Sequence, residues 1–330
     1  MRHLTVSGFG DFLGVHGNRL IVRNGDNVIL ETALSRLRTI RIDKSVSLSS
    51  NLILACAARG IRIYFLDWKG VGVVEVSGMH RHAVVGVRKS QFECLKSLQA
   101  QLLAKEIIFS KIRNQRAVLL YFSKYLMKRE TAYGLLLRNA GTRLEEISNL
   151  LNTRASGPDW KNTVMGLEGS ASLIYWNALK EARLLPETFQ EREGRGSTEI
   201  TNAALNYGYA ILHSYSQNAL GNAGLEIYAG LLHADRAGKP SLVLDCIEEY
   251  RAWVVDRNVI SLRCKLGSEQ NFLDTALKKQ LVELIDKTMS TKINYSQKQC
   301  KLENALQRQV YKLAGAIVEG KRYRGIRFKW

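Results

Sequence analysis

The period of the apolar residues changes once along this chain, and that change constrains its fold more than any other feature. Up to about residue 76, apolar residues come in short runs broken by turn residues. From Ser90 the period lengthens: Phe92, Leu95, Leu98, Leu102, Ile107 and Ile108 recur mostly at helical spacing. The pattern predicts an α+β fold, with a small, mostly antiparallel β domain over residues 1–76, a basic linker over 77–89, and a larger all-α domain over 90–330. At 330 residues the chain is long enough for about two cores.

In the β-rich part, Phe12–His16 and Leu20–Val22 flank Gly17-Asn18, and Asn24-Gly25-Asp26 precedes Val28–Leu30. An Asn-Gly between β-branched runs is a strong hairpin signal. Thr39–Ile42, Ile61–Leu66 and Val71–Val76 read as further strands. Ser50–Ala58 reads as one helix, capped by serine at its start and ended by Gly60. Within the helical part, residues 154–160 with Gly157-Pro158 and 191–197 with Gly194 and Gly196 read as exposed loops. The tail Lys321–Trp330 interleaves cations with aromatics. Lys321, Arg322 and Arg324 either contact phosphates beside stacked bases or lie over the domain surface.

The net charge is +18. Such a charge attracts polyanions, nucleic acid first and an anionic membrane second. No apolar run reaches the roughly 18 residues of a membrane span, and Met1–Gly10 has no secretory pattern, so a reducing cytoplasm is the expected compartment. The five cysteines are scattered, with no C-x-x-C pair, which argues against a disulfide scaffold and a structural zinc site. Gly8, Gly10 and Gly14 are spaced one residue too widely for a dinucleotide loop, and Gly238-Lys239-Pro240-Ser241 lacks the first glycine of a phosphate loop. His3, His16, His80, His82 and His213 read as surface or core residues.

Chemistry concentrates between Gly224 and Ile260. His233 ends an apolar run that reads as helical. Ala237 to Pro240 then turns, and Ser241 is placed to cap the next helix. On that helix Asp245 and Glu248 share a face, beside Leu242, Leu244 and Ile247. Taken alone, such an acid pair is more often a solvated helix face answered here by Arg251. Farther upstream, Glu168 stands between Gly166 and Gly169 at what reads as a helix start, where a carboxylate is favoured by the helix dipole; it too reads as a plain helix-starting acid.

The motifs become specific in combination. Gly-x-Glu-Gly around Glu168, Leu205–Leu212 (LNYGYAIL), the segment closing Gly-Leu-Leu-His at His233, and Ser241–Arg251 (SLVLDCIEEYR) occur in this order and spacing. The whole chain thereby resembles the CRISPR-associated integrase of spacer acquisition, the first-named CRISPR-associated nuclease. The resemblance implies that Glu168, His233 and Glu248 hold a divalent metal and that Asp245 belongs to the same catalytic group. It departs from the usual pattern in three places: Glu248 where an aspartate is common, Ile227 and Ala252 where prolines are usual.

Two carboxylates and an imidazole without thiolates suit Mg2+ or Mn2+. The ion would activate a hydroxyl for attack on a backbone phosphate. Arg236, Lys239 and Arg251 lie beside the expected ligands and could stabilise the developing charge; their plainer role is ion pairing. With Arg81, Arg88 and Lys89 of the linker and the cations of the tail, they make the expected DNA-binding set. The resemblance further implies double-stranded DNA partners (protospacer and repeat array), a homodimer formed through the β domains, and assembly with the small second CRISPR-associated protein. Two other readings fit the composition: a non-catalytic nucleic-acid-binding protein, and a general nuclease acting on branched DNA or RNA in repair.

Overall fold

The short apolar runs of the first part build two four-stranded sheets. The computed structural model describes residues 3–66, 72–78, 85–154, 157–194, 196–266 and 273–329. One sheet takes β1 (His3–Val6), β5 (Thr39–Asp43), β7 (Arg62–Leu66) and β8 (Gly72–Val76) in that order; the other runs β4 (Asn27–Ala33), β3 (Arg19–Asn24), β2 (Asp11–His16), β6 (Ser47–Leu48). Gly17 and Gly25, at φ of +57°, turn the two expected hairpins. The helix α1 (Ser50–Ala58) has the expected bounds: Ser49 caps it by accepting from Leu52 N at 3.2 Å, and Gly60 leaves it at φ +67°. Leu13, Leu20, Ile40, Ile42, Leu52 and Ile63 form the core.

The α+β class holds, but the strand pairing is more mixed than the mostly antiparallel expectation. β1 with β5, β5 with β7, and β2 with β6 are parallel. The reason is connectivity: α1 carries the chain back across the sheet, so β7 enters beside β5 in the same direction. β5 is buried along its whole length, and β1 and β6 are too short to have been legible in the apolar pattern.

The second part packs around α3 (Leu98–Leu126), which meets α4 (Thr131–Arg154), α5 (Trp160–Glu181) and α7 (Ser241–Tyr250). Its other long helices are α6 (Ile200–Asn222), α10 (Thr275–Ser290) and α11 (Leu302–Glu319), with the short α8 (Arg257–Ser261) and α9 (Arg263–Leu266) before α10. It is not all helix: β9 (Lys292–Tyr295) and β10 (Lys298–Lys301) form a hairpin, turned by Ser296 and Gln297 at φ +50° and +64°. That turn carries no glycine, which hid it from the sequence. Val85 to Lys89, expected as linker, begin the helix α2 (Val85–Cys94); Arg81 lies outside the described residues. No described helix is long and apolar enough to cross a membrane.

A buried polar joint links the two parts. Arg41 of β5 is fully buried, with Nε donating to Ser214 Oγ at 2.7 Å, Nη1 at 3.3 Å from Asp286, and its guanidinium over Tyr215. His3 engages Thr39 through Nδ1 at 2.7 Å and Glu303 through Nε2 at 3.1 Å.

The tail is docked rather than loose. Tyr323 and Ile326 are buried. Glu249 accepts from Tyr323 OH at 2.5 Å and from Ile326 N at 2.8 Å, while Phe328 stacks on Trp253 with centroids 5.2 Å apart. Burial pushes the Glu249 carboxyl up to about 7, in spite of the Tyr323 hydrogen bond. A carboxyl raised in the folded state favours folding below its unfolded value near 4.5, and this contribution is lost as pH rises through about 7. Glu249→Gln, which removes the charge and can still accept from Ile326 and donate to the Tyr323 oxygen, should therefore flatten the loss of stability between these pH values. Urea midpoints at pH 4.5 and 8 check this; parallel pH dependence in both proteins would show that Glu249 is not its source.

Candidate functional site

Glu168 and Glu248 come from different helices and meet at one buried cation. Glu168 lies in the third turn of α5, not at a helix start. The helix begins earlier than the sequence suggested, after Asp159, and carries Gly166 and Gly169 in its interior. A dipole at the N-terminus therefore does not account for this acid. A Cβ at either glycine would meet nothing within 4 Å, so the space beside the acid is open. Glu248 sits on α7, nearly fully buried.

Between the two carboxylates stands Lys111 of α3. Its ammonium contacts Glu168 Oε1 and lies 2.7 Å from Glu248 Oε2. Arg251 Nη1 donates to the other oxygen, Glu248 Oε1, at 2.6 Å, and its guanidinium lies 4.2 Å from the centroid of the Tyr209 ring. Burial by itself would push the Glu248 carboxyl up; the charges of Arg251 and Lys111 outweigh it and hold it down at about 2. The same ion pairs hold Lys111 above the ordinary lysine range despite its burial. The second oxygen, Glu248 Oε2, is buried and has the Lys111 ammonium as its partner.

His233 does not end a helix. α6 stops at Asn222, and residues 223–240 form an irregular loop. The loop is held from two sides. Gln91 of α2 donates to Glu226 O and Ala229 O, each at 3.0 Å, and accepts from Glu226 N at 2.8 Å. Asp245, buried on α7, accepts from the N–H groups of Leu231 at 2.6 Å, Leu232 at 3.1 Å and His233 at 3.2 Å, and pairs with His233 Nδ1 at 2.6 Å. Asp245 therefore acts through His233: with Nδ1 engaged, Nε2 is the ring nitrogen left for a ligand. Ser241 is not the expected cap; it opens α7, and its hydroxyl donates to Ala234 O at 3.0 Å, closing the loop.

Burial lowers the His233 pKa, but the hydrogen bond and charge of Asp245 outweigh it, so the net shift is upward; the charge of Glu248 adds to this. Asp245→Asn should bring the His233 titration down, because burial then acts with little opposition. Imidazole proton NMR of the metal-free protein reads this directly, and an unmoved titration would remove Asp245 as the cause.

Among the described residues, no group of three or more His, Cys, Asp and Glu side chains closes on a point as a ready metal cage. The centre between the two glutamates is taken by the lysine. The donor set nevertheless suits a hard divalent ion: two carboxylates already gathered around a cation, and an imidazole oriented through its other nitrogen.

The expected DNA-binding cations scatter. Arg251 is committed to Glu248 and lines the cleft beside the site with Lys111, Gly169 and Ser172. Arg236 is exposed and Lys239 half-buried on the turn after His233, and the charge of Lys239 reaches the imidazole. Lys321, Arg322 and Arg324 lie on the outer side of the docked tail, Lys321 paired with Glu319. Arg88 stands 3.8 Å from Glu226, and Lys89 is exposed.

Two groups escaped the sequence reading. Lys111 sits in the buried stripe Ala104, Ile107, Ile108, Gln115, Val118 of α3; a lysine at an apolar helical spacing was the available signal. Asp256 is buried and accepts from Tyr209 OH at 2.5 Å and Tyr175 OH at 3.2 Å. It closes a π-helical stretch, Arg251–Asp256, that follows α7 directly and has no sequence signature.

Comparison with known proteins gives the family and the fold. A CRISPR-associated endonuclease Cas1 of Francisella tularensis subsp. novicida is 43 % identical over 331 residues, covering all of both chains. One from Archaeoglobus fulgidus is 31 % identical over 272 residues, covering 78 % of this chain and 77 % of its own. Among solved structures, a casposase bound to integration product superposes with a TM-score of 0.79 at 22 % identity, covering 98 % of this chain and 93 % of its own. A Cas1 protein from Thermotoga maritima gives 0.73 at 18 % identity, over 98 % and 99 %. At such identities these two speak for the fold. With residues 4–294 matching the family described as CRISPR associated protein Cas1, and a full-length relative at 43 % identity, the chain belongs to the Cas1 family.

Proposed function

We propose that this chain is a metal-dependent DNA endonuclease and integrase of CRISPR adaptation, which joins protospacer 3′-hydroxyl ends into a repeat array by transesterification. One observation carries the reading: two carboxylates from separate helices, Glu168 and Glu248, converge on a single buried cationic position beside an open cleft. A buried carboxylate beside a half-buried one costs free energy unless a cation answers them. Glu168, Glu248 and His233 Nε2 would hold Mg2+ or Mn2+, which when bound supplies Lewis-acid activation of the attacking hydroxyl and of the phosphate.

The chain's own groups do the rest. Asp245 keeps the imidazole turned through Nδ1. Arg251, fixed by Glu248 and stacked on Tyr209, places a guanidinium on the cleft wall where phosphate charge would build up. Arg236 and Lys239 extend the positive surface along the turn after His233. Exposed Phe9, Val28 and Ile29 on the β-rich part are suited to bury against a second copy in a homodimer. The relatives' solved Cas1–Cas2 complex and Cas1–DNA complex support DNA and a small Cas2 partner for this chain as well.

The test is strand joining of a 3′-hydroxyl duplex into a repeat-containing plasmid, with Mn2+ and with EDTA. Joining that needs the metal and prefers the repeat bears the reading out. DNA binding without any joining would make the chain a non-catalytic binder, and cleavage of branched DNA without repeat preference would make it a repair nuclease.

A further inference from the structure

Lys111 supplies the second positive charge that the two glutamates need, and it does so from a position that both acids share. Arg251 already serves Glu248 Oε1, and Ser172 Oγ already donates to Glu168 Oε1 at 3.0 Å. Lys111 reaches the same cluster from a third helix, buried on the cleft wall, and touches one oxygen of each acid. The ammonium therefore bridges the two acids and is the partner of the buried Glu248 oxygen. A compact ammonium of one charge on a flexible four-carbon stem fills the position with few directional demands, as a guanidinium would not.

We propose that Lys111 is an internal stand-in for the divalent ion, holding Glu168 and Glu248 together in the metal-free protein and giving up its place when the ion binds. The inference rests on the metal-site reading above. Two like-charged groups cannot share these oxygens: the incoming ion competes for the same lone pairs and repels the ammonium at close range. The lysine stem can turn along α3 toward Gln115, which lines the same cleft one helical turn on. A DNA phosphate in that cleft offers the displaced ammonium a new anion. Metal and DNA then favour each other's binding, since each relieves the cost that the other meets.

Two consequences follow from the same exchange. The carboxylates do not spring apart when the metal leaves, so the site stays formed. Metal affinity is lower than the two acids and the imidazole would give alone, because the lysine must be displaced first.

Calorimetric titration of Mn2+ into the full chain tests this with Lys111→Met, Lys111→Gln and Glu168→Gln. Both lysine variants should bind Mn2+ at least about 10-fold more tightly than the unaltered protein in the absence of DNA. A short DNA duplex should tighten Mn2+ binding to the unaltered protein and do so much less in the lysine variants. Equal Mn2+ affinity with and without the lysine, while Glu168→Gln abolishes binding, overturns the stand-in role and leaves the metal site intact. Unchanged binding in Glu168→Gln removes the metal site itself and the inference with it. Lysine variants that fold only when Mn2+ is present support the exchange; variants that fail to fold with or without it make Lys111 a structural requirement and overturn it.

Discussion

Glu168→Gln is expected to lower strand joining by about 1000-fold or more, a loss of roughly 4 kcal/mol of transition-state stabilisation, while DNA binding is retained. The substitution keeps the side chain's size and its contact with Ser172, and it removes one of the two charges that gather a cation at the site. The fold should persist, because the change lies at the wall of an open cleft, where its polar partners are Lys111 and Ser172. Single-turnover joining rates and a mobility-shift titration on the same preparation separate the two effects. Joining within about tenfold of the unaltered rate would place the chemistry elsewhere.

Asn114→Leu is expected to be the most destabilising single change outside the apolar core, by about 3 kcal/mol or more. Asn114 is fully buried on α3. Its Nδ2 donates to Glu249 O at 2.6 Å and to Ile326 O at 2.9 Å, and its Oδ1 accepts from Phe328 N at 2.9 Å. Leucine has similar bulk and answers none of these groups, leaving a buried N–H and carbonyls unpaired. The tail should come free, lifting Phe328 off Trp253. Denaturant midpoints measure the loss, and trypsin cleavage at Lys321 and Arg322 reports the release. A tail that stays protected in the variant would show that the Glu249 contacts, with the Gln309 Nε2 donation to Arg324 O at 2.7 Å, suffice without Asn114.

The tail also illustrates what the sequence left open. Its alternation of cations and aromatics suits both phosphate contact and surface packing. The structure answers by position: Tyr323 and Ile326 turn inward, and Lys321, Arg322 and Arg324 stay out. Gly325 makes the docking possible, since a Cβ there would lie 2.3 Å from Ser110 Oγ and 3.1 Å from Glu249 Cδ. A close approach of this kind is a relation between elements far apart in the chain, and a ten-residue pattern does not carry it.

The same division runs through the site. Glu168, His233, Asp245 and Glu248 were singled out by the order and spacing of their motifs, and the structure brings Glu168 to Glu248 around Lys111 and His233 to Asp245. Their local settings were not legible in the sequence. Glu168 was expected at a helix start and lies within α5; His233 was expected on a helix and lies on a loop; Ser241 was expected as a cap and closes that loop instead. For Glu168 the helix simply starts earlier, while for His233 and Ser241 a tertiary contact overrides local preference: Gln91 and Asp245 satisfy the backbone of residues 226–233 that a helix would otherwise have to satisfy, and the Ser241 hydroxyl turns to Ala234 O.

The order of periods and motifs along the chain was enough to determine an α+β protein, its hairpins, the helix Ser50–Ala58, and the family. Those features depend on neighbours in sequence, where side-chain spacing and turn chemistry act directly. Only the tertiary structure decided that β5 and β7 run parallel, that Asp245 orients His233, and that Lys111 stands between the two acids. Charges interact through space, so which cation answers a buried carboxylate is settled by helix packing and not by distance along the chain.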